Sequence, residues 1–282
     1  MNTFQHLAFA AILLFVTQSC SSTPKLVSQF DEEDATGSGA ADLEQKMQNV
    51  DRKPLDEIAV FAKNDEKYLY LMVDFISSRA FDNAREFGFT LYIDGKDAVK
   101  RSFGITYPTG IFYELRSYPG AQKGYLQEPN WGNMQQNQNI LESAERTSKR
   151  NALIVQRRSR RDNIQPFSLP LNQLQAQNLL VHFDEEGRNG RISFTIPLQT
   201  RSTSQFSPDI EPGQVVDVGF EIDPIRLHDM REGSSAPLIT SETASGRTQS
   251  ESDEQQQERI NRVMHRLGEP MQKWVKLELS AL

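Results

Sequence analysis

Ile58-Ala-Val-Phe-Ala62, Lys63-Asn-Asp-Glu-Lys67 and Tyr68-Leu-Tyr-Leu-Met-Val-Asp-Phe75 together decide the fold. Two runs rich in β-branched and aromatic residues flank five polar turn-formers, the pattern of an antiparallel hairpin. Downstream, Phe81, Ala84 and Phe87 fall three apart and predict a helical stretch within 77–87. Gly88-Phe-Thr-Leu-Tyr-Ile93, the turn Asp94-Gly95-Lys96-Asp97 and Lys100 to Tyr107 predict a second hairpin, stopped by Pro108. Further strands are expected at 152–156, 178–183, 191–196, 215–222 and 274–279, with Pro197 closing one of them. At least eight short strands with few helices predict an all-β fold, an antiparallel β-sandwich with peripheral helices and long polar loops.

The chain has 282 residues, 31 Lys+Arg against 38 Asp+Glu, a net charge of -7 and 37% hydrophobic residues. So low an apolar fraction predicts long polar segments diluting a smaller core. Residues 117–151, with the run Gln135-Gln-Asn-Gln-Asn139, are expected to be a disordered insertion without core-forming capacity, and 231–257 another. The stripe Ile260, Val263, Met264 and Leu267 predicts a helix from about 252, and Leu43, Met47 and Val50 a short one leading into the domain. Mild acidity argues against nucleic acid as a partner. A single cysteine excludes a disulfide framework and a Cys-rich zinc site.

That cysteine lies near the start. The apolar run Leu7 to Val16 is half the roughly 20 residues a bilayer-spanning helix needs, and has the length of a secretory signal core. No Lys or Arg precedes it, and Thr17-Gln18-Ser19 leads directly to Cys20. The placement of Cys20, with Ser19 before it and Ser-Ser-Thr-Pro after, resembles the lipobox of bacterial lipoproteins, although Thr17 and Gln18 depart from its usual residues. The resemblance implies cleavage of residues 1–19 as a signal peptide and acylation of Cys20 with palmitate-like chains. With Ser21 rather than Asp next, it also implies passage to the outer membrane. Membrane lipid would then be a partner through Cys20, and residues 20–56 a flexible tether including the acidic run Asp31 to Asp34. The domain proper is expected over 57–282.

Ile58 to Tyr70, then Ile192-Ser-Phe-Thr-Ile-Pro-Leu198 with Gly213 and Val218-Gly-Phe-Glu-Ile222, resemble the strands of family 9 carbohydrate-binding modules and the related DOMON sandwiches. That resemblance implies non-catalytic binding of a sugar between aromatic rings, or of haem held by side chains. For sugar the candidates are Trp131, Tyr113, Tyr118 and Tyr125, while Trp274 on the last strand is expected in the core. For haem, His182, His228 and His265 are widely separated, and no metal-ligand spacing occurs. Asp94, Asp97, Asp184, Glu185 and Glu186 are carboxylates of the kind that hold Ca²⁺, in positions that also form turns. Arg157, Arg158, Arg160 and Arg161 form a basic cluster in a loop. No Gly-x-Ser-x-Gly, His-Glu-x-x-His or phosphate loop is present, so no catalytic residue, cofactor or metal is assigned and the chain is not expected to be an enzyme. The expectation is an envelope lipoprotein whose sandwich binds glycan, with a structural or assembly role among envelope proteins as the alternative.

Overall fold

The computed structural model describes residues 23–31, 46–47, 49–95, 99–128, 130–157, 159, 166–185, 190–201, 204–223 and 270–281. Outside them lie Cys20 and the signal segment, most of the acidic run, Leu43, Asp97, Arg158, Arg160, Arg161, Glu186, His228, His265, and the segment and helix expected within 231–267.

The opening hairpin forms as read. Strands β4 (Ile58–Asn64) and β5 (Tyr68–Phe75) pair antiparallel, with Ile58 opposite Phe75. Its turn closes on Asp65, whose Oδ1 accepts the backbone N–H of Lys67 and Tyr68, each at 2.6 Å, and whose Oδ2 accepts the Tyr70 hydroxyl at 2.7 Å. One sheet runs β10 (Leu180–Asp184), β11 (Arg191–Pro197), β5, β4, β2 (Gln29–Phe30), with β3 (Lys53–Leu55) also on β4. The other has seven strands in the order β1 (Lys25–Val27), β13 (Met271–Glu278), β12 (Val215–Ile222), β6 (Thr90–Asp94), β7 (Phe103–Thr106), β8 (Asn151–Gln156), β9 (Phe167–Pro170). All pairings are antiparallel except β1 on β13 and β2 on β4.

Between the sheets, Phe75 and Phe194 from one meet Phe220 from the other around Phe89, with ring centroids of Phe75 and Phe89 5.6 Å apart. All four are at most 2% exposed, so truncating any one to Ala would cost about 3–5 kcal/mol through lost transfer energy and a cavity. The predicted helix is α1 (Ser78–Phe87): the Ser77 hydroxyl caps its first turn, and Ala80, Phe81, Ala84 and Phe87 are buried. It ends at Gly88, whose φ of +90° suits glycine and whose backbone lies against Thr109 too closely for a Cβ.

Two expectations are corrected. Residues 117–151 are a helical cap rather than a disordered insertion. After α2 (Ile111–Glu114) come α3 (Ala121–Gln127) and the 14-residue α4 (Gln135–Ser148), which contains the whole Gln/Asn run. The chain between 25 and 31 is not free tether. Leu26 enters the core, and Ser28 lies between the two sheets, its N–H donating to the Glu278 carbonyl at 3.0 Å and its hydroxyl to Asn64 Oδ1. Asp31, read as part of a solvated acidic run, is buried between the ammonium groups of Lys63 at 3.1 Å and Lys46 at 3.4 Å. Residues 25–30 thus staple one sheet to the other. Met47 and Val50, expected on a helix leading into the domain, are buried against Tyr70 and Met72.

Candidate functional site

The four aromatic residues proposed from sequence are not an exposed platform. Trp131 is 7% exposed and sits over Gly124, where a Cβ would come within 2.3 Å of the indole nitrogen. Its ring meets Tyr125 edge-on at 6.1 Å, and the Tyr125 hydroxyl donates to Glu86 on α1. Tyr118 donates to Ser143 Oγ on α4 at 2.7 Å. Tyr113 is buried against Leu153, with the Arg116 guanidinium 3.6 Å above its ring centroid. These side chains fasten the helical cap and each other. The loop expected to display rings to solvent is instead held by them.

The other candidates are also scattered. His182 is exposed on β10, opposite Ser193. Asp94 and Asp184 end strands of different sheets, and Glu185 pairs with Lys149 at 2.7 Å and Arg85 at 3.3 Å. No group of three or more His, Cys, Asp or Glu side chains is arranged to hold a metal among the described residues.

A different cluster stands on the outer face of the seven-stranded sheet. On β13, Met271, Val275 and Leu277 point into the core, so Gln272, Trp274, Lys276 and Glu278 point out, and Trp274 is half-buried outside the sandwich core rather than within it. Opposite it on β12 is Gly219, and next in the row come Tyr92 on β6 and Gly104 on β7. A Cβ on Gly219 would lie 2.6 Å from the indole, and one on Gly104 2.7 Å from the Tyr92 ring. The two glycines therefore let both rings lie down on the sheet. The ring planes are 9° apart with centroids 6.4 Å apart.

Charge closes around this pair. The Arg101 guanidinium lies 5.4 Å from the Tyr92 centroid and 5.8 Å from that of Trp274, and donates to Glu221 Oε1 at 2.6 Å. Glu221 is 2% exposed, so its carboxylate is buried beneath an Arg101 side chain that itself remains partly exposed. Lys100 reaches 5.8 Å from the indole and pairs with Asp217 at 3.2 Å, both groups at the surface. Beside Asp217, Asp94 accepts the Ser102 N–H at 2.9 Å. Burial pushes its carboxyl above the ordinary carboxylate range, with the neighbouring Asp217 charge adding to the shift. The result is an indole bordered by an amide, two ammonium groups and a carboxylate, resting on a rigid sheet. With the exposed Lys100 side chain swung off the indole, such a surface can stack one flat apolar face and hydrogen-bond the polar rim of the same ligand.

No protein-family model and no curated protein sequence matches the chain. Among solved structures it is similar to a family 9 carbohydrate-binding module from Caldicellulosiruptor kristjanssonii in complex with glucose, at 8% identity and a TM-score of 0.29, over 70% of this chain and 76% of that one. The same module in complex with cellotriose gives 8% identity and a TM-score of 0.29, over 70% and 75% of the two chains. No residue role is carried over from this slight likeness.

Proposed function

We propose that the chain is an acylated cell-envelope protein whose sandwich binds glycan without turning it over, and that the glycan rests on Trp274. The half-buried indole lying flat on Gly219 carries this reading. A pyranose presents an axial C–H face that stacks on such a ring, and an equatorial rim of hydroxyls that needs donors and acceptors close by. Gln272 and Lys276 supply them along the strand, Lys100 and Asp217 across it. The anchor rests on Cys20, whose surroundings resemble a lipobox, with the outer membrane as the expected address.

The test is a glycan array probed with the detergent-solubilised chain and with two variants. Binding should be lost in Trp274→Ala and kept in Trp131→Phe, since Trp131 belongs to the helical cap. No binding by the wild type, or equal binding by Trp274→Ala, overturns the reading. Crosslinking to a defined envelope protein in that case would favour the assembly role.

A further inference from the structure

We infer that the glycan held at Trp274 is the headgroup of an anionic glycolipid in the same membrane leaflet that carries Cys20. This deepens the proposed function and rests on both its anchor and its Trp274 site. Two independent observations support it, one of distance and one of charge.

The first is the length of chain between anchor and sheet. The Pro24 carbonyl accepts the Lys276 N–H at 2.9 Å, so the chain is fixed to the edge of the sheet from that residue onward. Three residues separate it from Cys20, and the four steps from one to the other span at most about 14 Å when fully extended. Lys25 lies opposite Lys276, which places Thr23 and Pro24 beside Trp274 and Val275 on the adjacent strand, about 4.8 Å away. Trp274 is therefore within about 20 Å of the acylated residue. The face is held within reach of large headgroups in that leaflet, where a lipid-borne glycan needs no recruitment and a soluble one does.

The second is charge. In a parallel pair, opposed residues share a side, and Leu26 and Leu277 take the core side. Lys25 and Lys276 therefore stand together on the outer face, with Lys100 over the indole. Two carboxylates answer them, Glu278 on Lys25 and Asp217 on Lys100. Both pairs are surface pairs, which contribute little and exchange readily for a better anion. Lys100 at the indole, with Lys276 two residues along the strand and Lys25 beside Lys276 on the same face, suits a sugar that carries phosphate or carboxylate, and Trp with Lys is a side-chain pairing found at membrane interfaces.

The chain has two tryptophans, so Trp131→Phe leaves Trp274 as the sole indole. That acylated variant would be reconstituted in vesicles of phosphatidylethanolamine alone, with phosphatidylglycerol, or with lipopolysaccharide, and its emission quenched with acrylamide. The expected result is a several-fold lower quenching constant and a blue shift with lipopolysaccharide only. A triple variant, Lys25→Gln, Lys100→Gln and Lys276→Gln, should lose that protection while remaining in the vesicles. Equal quenching in all three vesicles overturns the inference, and so does equal protection by phosphatidylglycerol, which carries the charge without a sugar. Protection by a free glycan that lipopolysaccharide does not give leaves the Trp274 site standing and refutes the membrane source. Failure of the chain to stay with any vesicle refutes the anchor, and the inference with it.

Discussion

Replacing Asn64 by Ala should loosen the staple that ties the start of the chain to both sheets. Asn64 is fully buried. Its Nδ2 donates to the carbonyls of Ser280 at 3.0 Å and Asp65 at 3.1 Å, while its Oδ1 accepts the Ser280 N–H at 3.0 Å and the Ser28 hydroxyl. After truncation the Ser280 N–H still has Ser28 Oγ at 2.9 Å, and the Ser28 hydroxyl still has the Glu278 carbonyl at 3.2 Å. The groups that lose their partner are the two carbonyls. A buried acceptor left unmade costs about 1–3 kcal/mol; the Asp65 carbonyl is buried and the part-buried Ser280 carbonyl costs less, so the loss should be about 2–4 kcal/mol. That is a large share of the 5–15 kcal/mol typical of a domain. Urea unfolding should show the midpoint fall with the slope unchanged. Limited trypsinolysis at Lys25 should accelerate by ~30-fold or more, since 1.4 kcal/mol is a factor of ten in the open population. Ser28→Ala, which removes a hydroxyl from the same knot, should show the same effect at smaller size. A change below about 1 kcal/mol, with Lys25 still protected, would refute the claim that these residues lock the N-terminal strands.

Other consequences follow from the outer face and from the buried carboxylates. Arg101→Ala should cost about 2–4 kcal/mol by leaving Glu221 beneath the sheet surface without its guanidinium, and the double variant Arg101→Met with Glu221→Met should recover most of it in urea titrations. Gly219→Val should lift the Trp274 ring off the sheet, shift its emission to the red and abolish glycan binding, while far-ultraviolet circular dichroism stays unchanged. Burial pushes the Glu114 carboxyl above its ordinary value, against a 2.6 Å hydrogen bond from Thr109, so the native state holds that proton more tightly than the unfolded chain. Its contribution is therefore most favourable at low pH and falls as pH rises through the window between ordinary and raised values. The hydrogen bond from Lys149, with Arg85 close by, holds Glu145 below its ordinary value, so its contribution is present at neutral pH and disappears as pH falls through the lowered value. Urea midpoints against pH should thus show Glu114→Gln gaining at neutral pH relative to wild type, and Glu145→Gln losing there but converging with it in acid.

Most of the sandwich is legible in the sequence because each hairpin carries its own turn chemistry and a period-two pattern. The helical cap is not, for a physical reason: α4 buries Asn137, Ala144 and Ser148, small or polar residues that hydropathy does not mark. A signal is nevertheless present. Residues 135–148 contain no Gly or Pro, and Ile140, Leu141 and Ala144 share one face, while Lys149 answers Glu145 at i,i+4. Strands β1 and β2 are harder, because they are short and β1 pairs with the far end of the chain, Lys25 opposite Lys276. Trp274 was within reach: its parity along β13 with Gln272, Lys276 and Glu278 puts it on the solvent side, and only the habit of burying tryptophan pointed inward. Of the rings drawn from polar loops, by contrast, Trp131 and Tyr113 are buried, while Tyr118 and Tyr125 are half-buried and hydrogen-bonded to neighbouring helices.

The central claim is that Trp274 is the contact surface for glycan, and the direct measurement is its own emission. In the Trp131→Phe chain, titrating the strongest glycan from the array should change the intensity of the single indole saturably, with the same dissociation constant that calorimetry gives on the wild type. Binding seen by calorimetry while the Trp274 emission stays constant would place the ligand elsewhere and contradict the account.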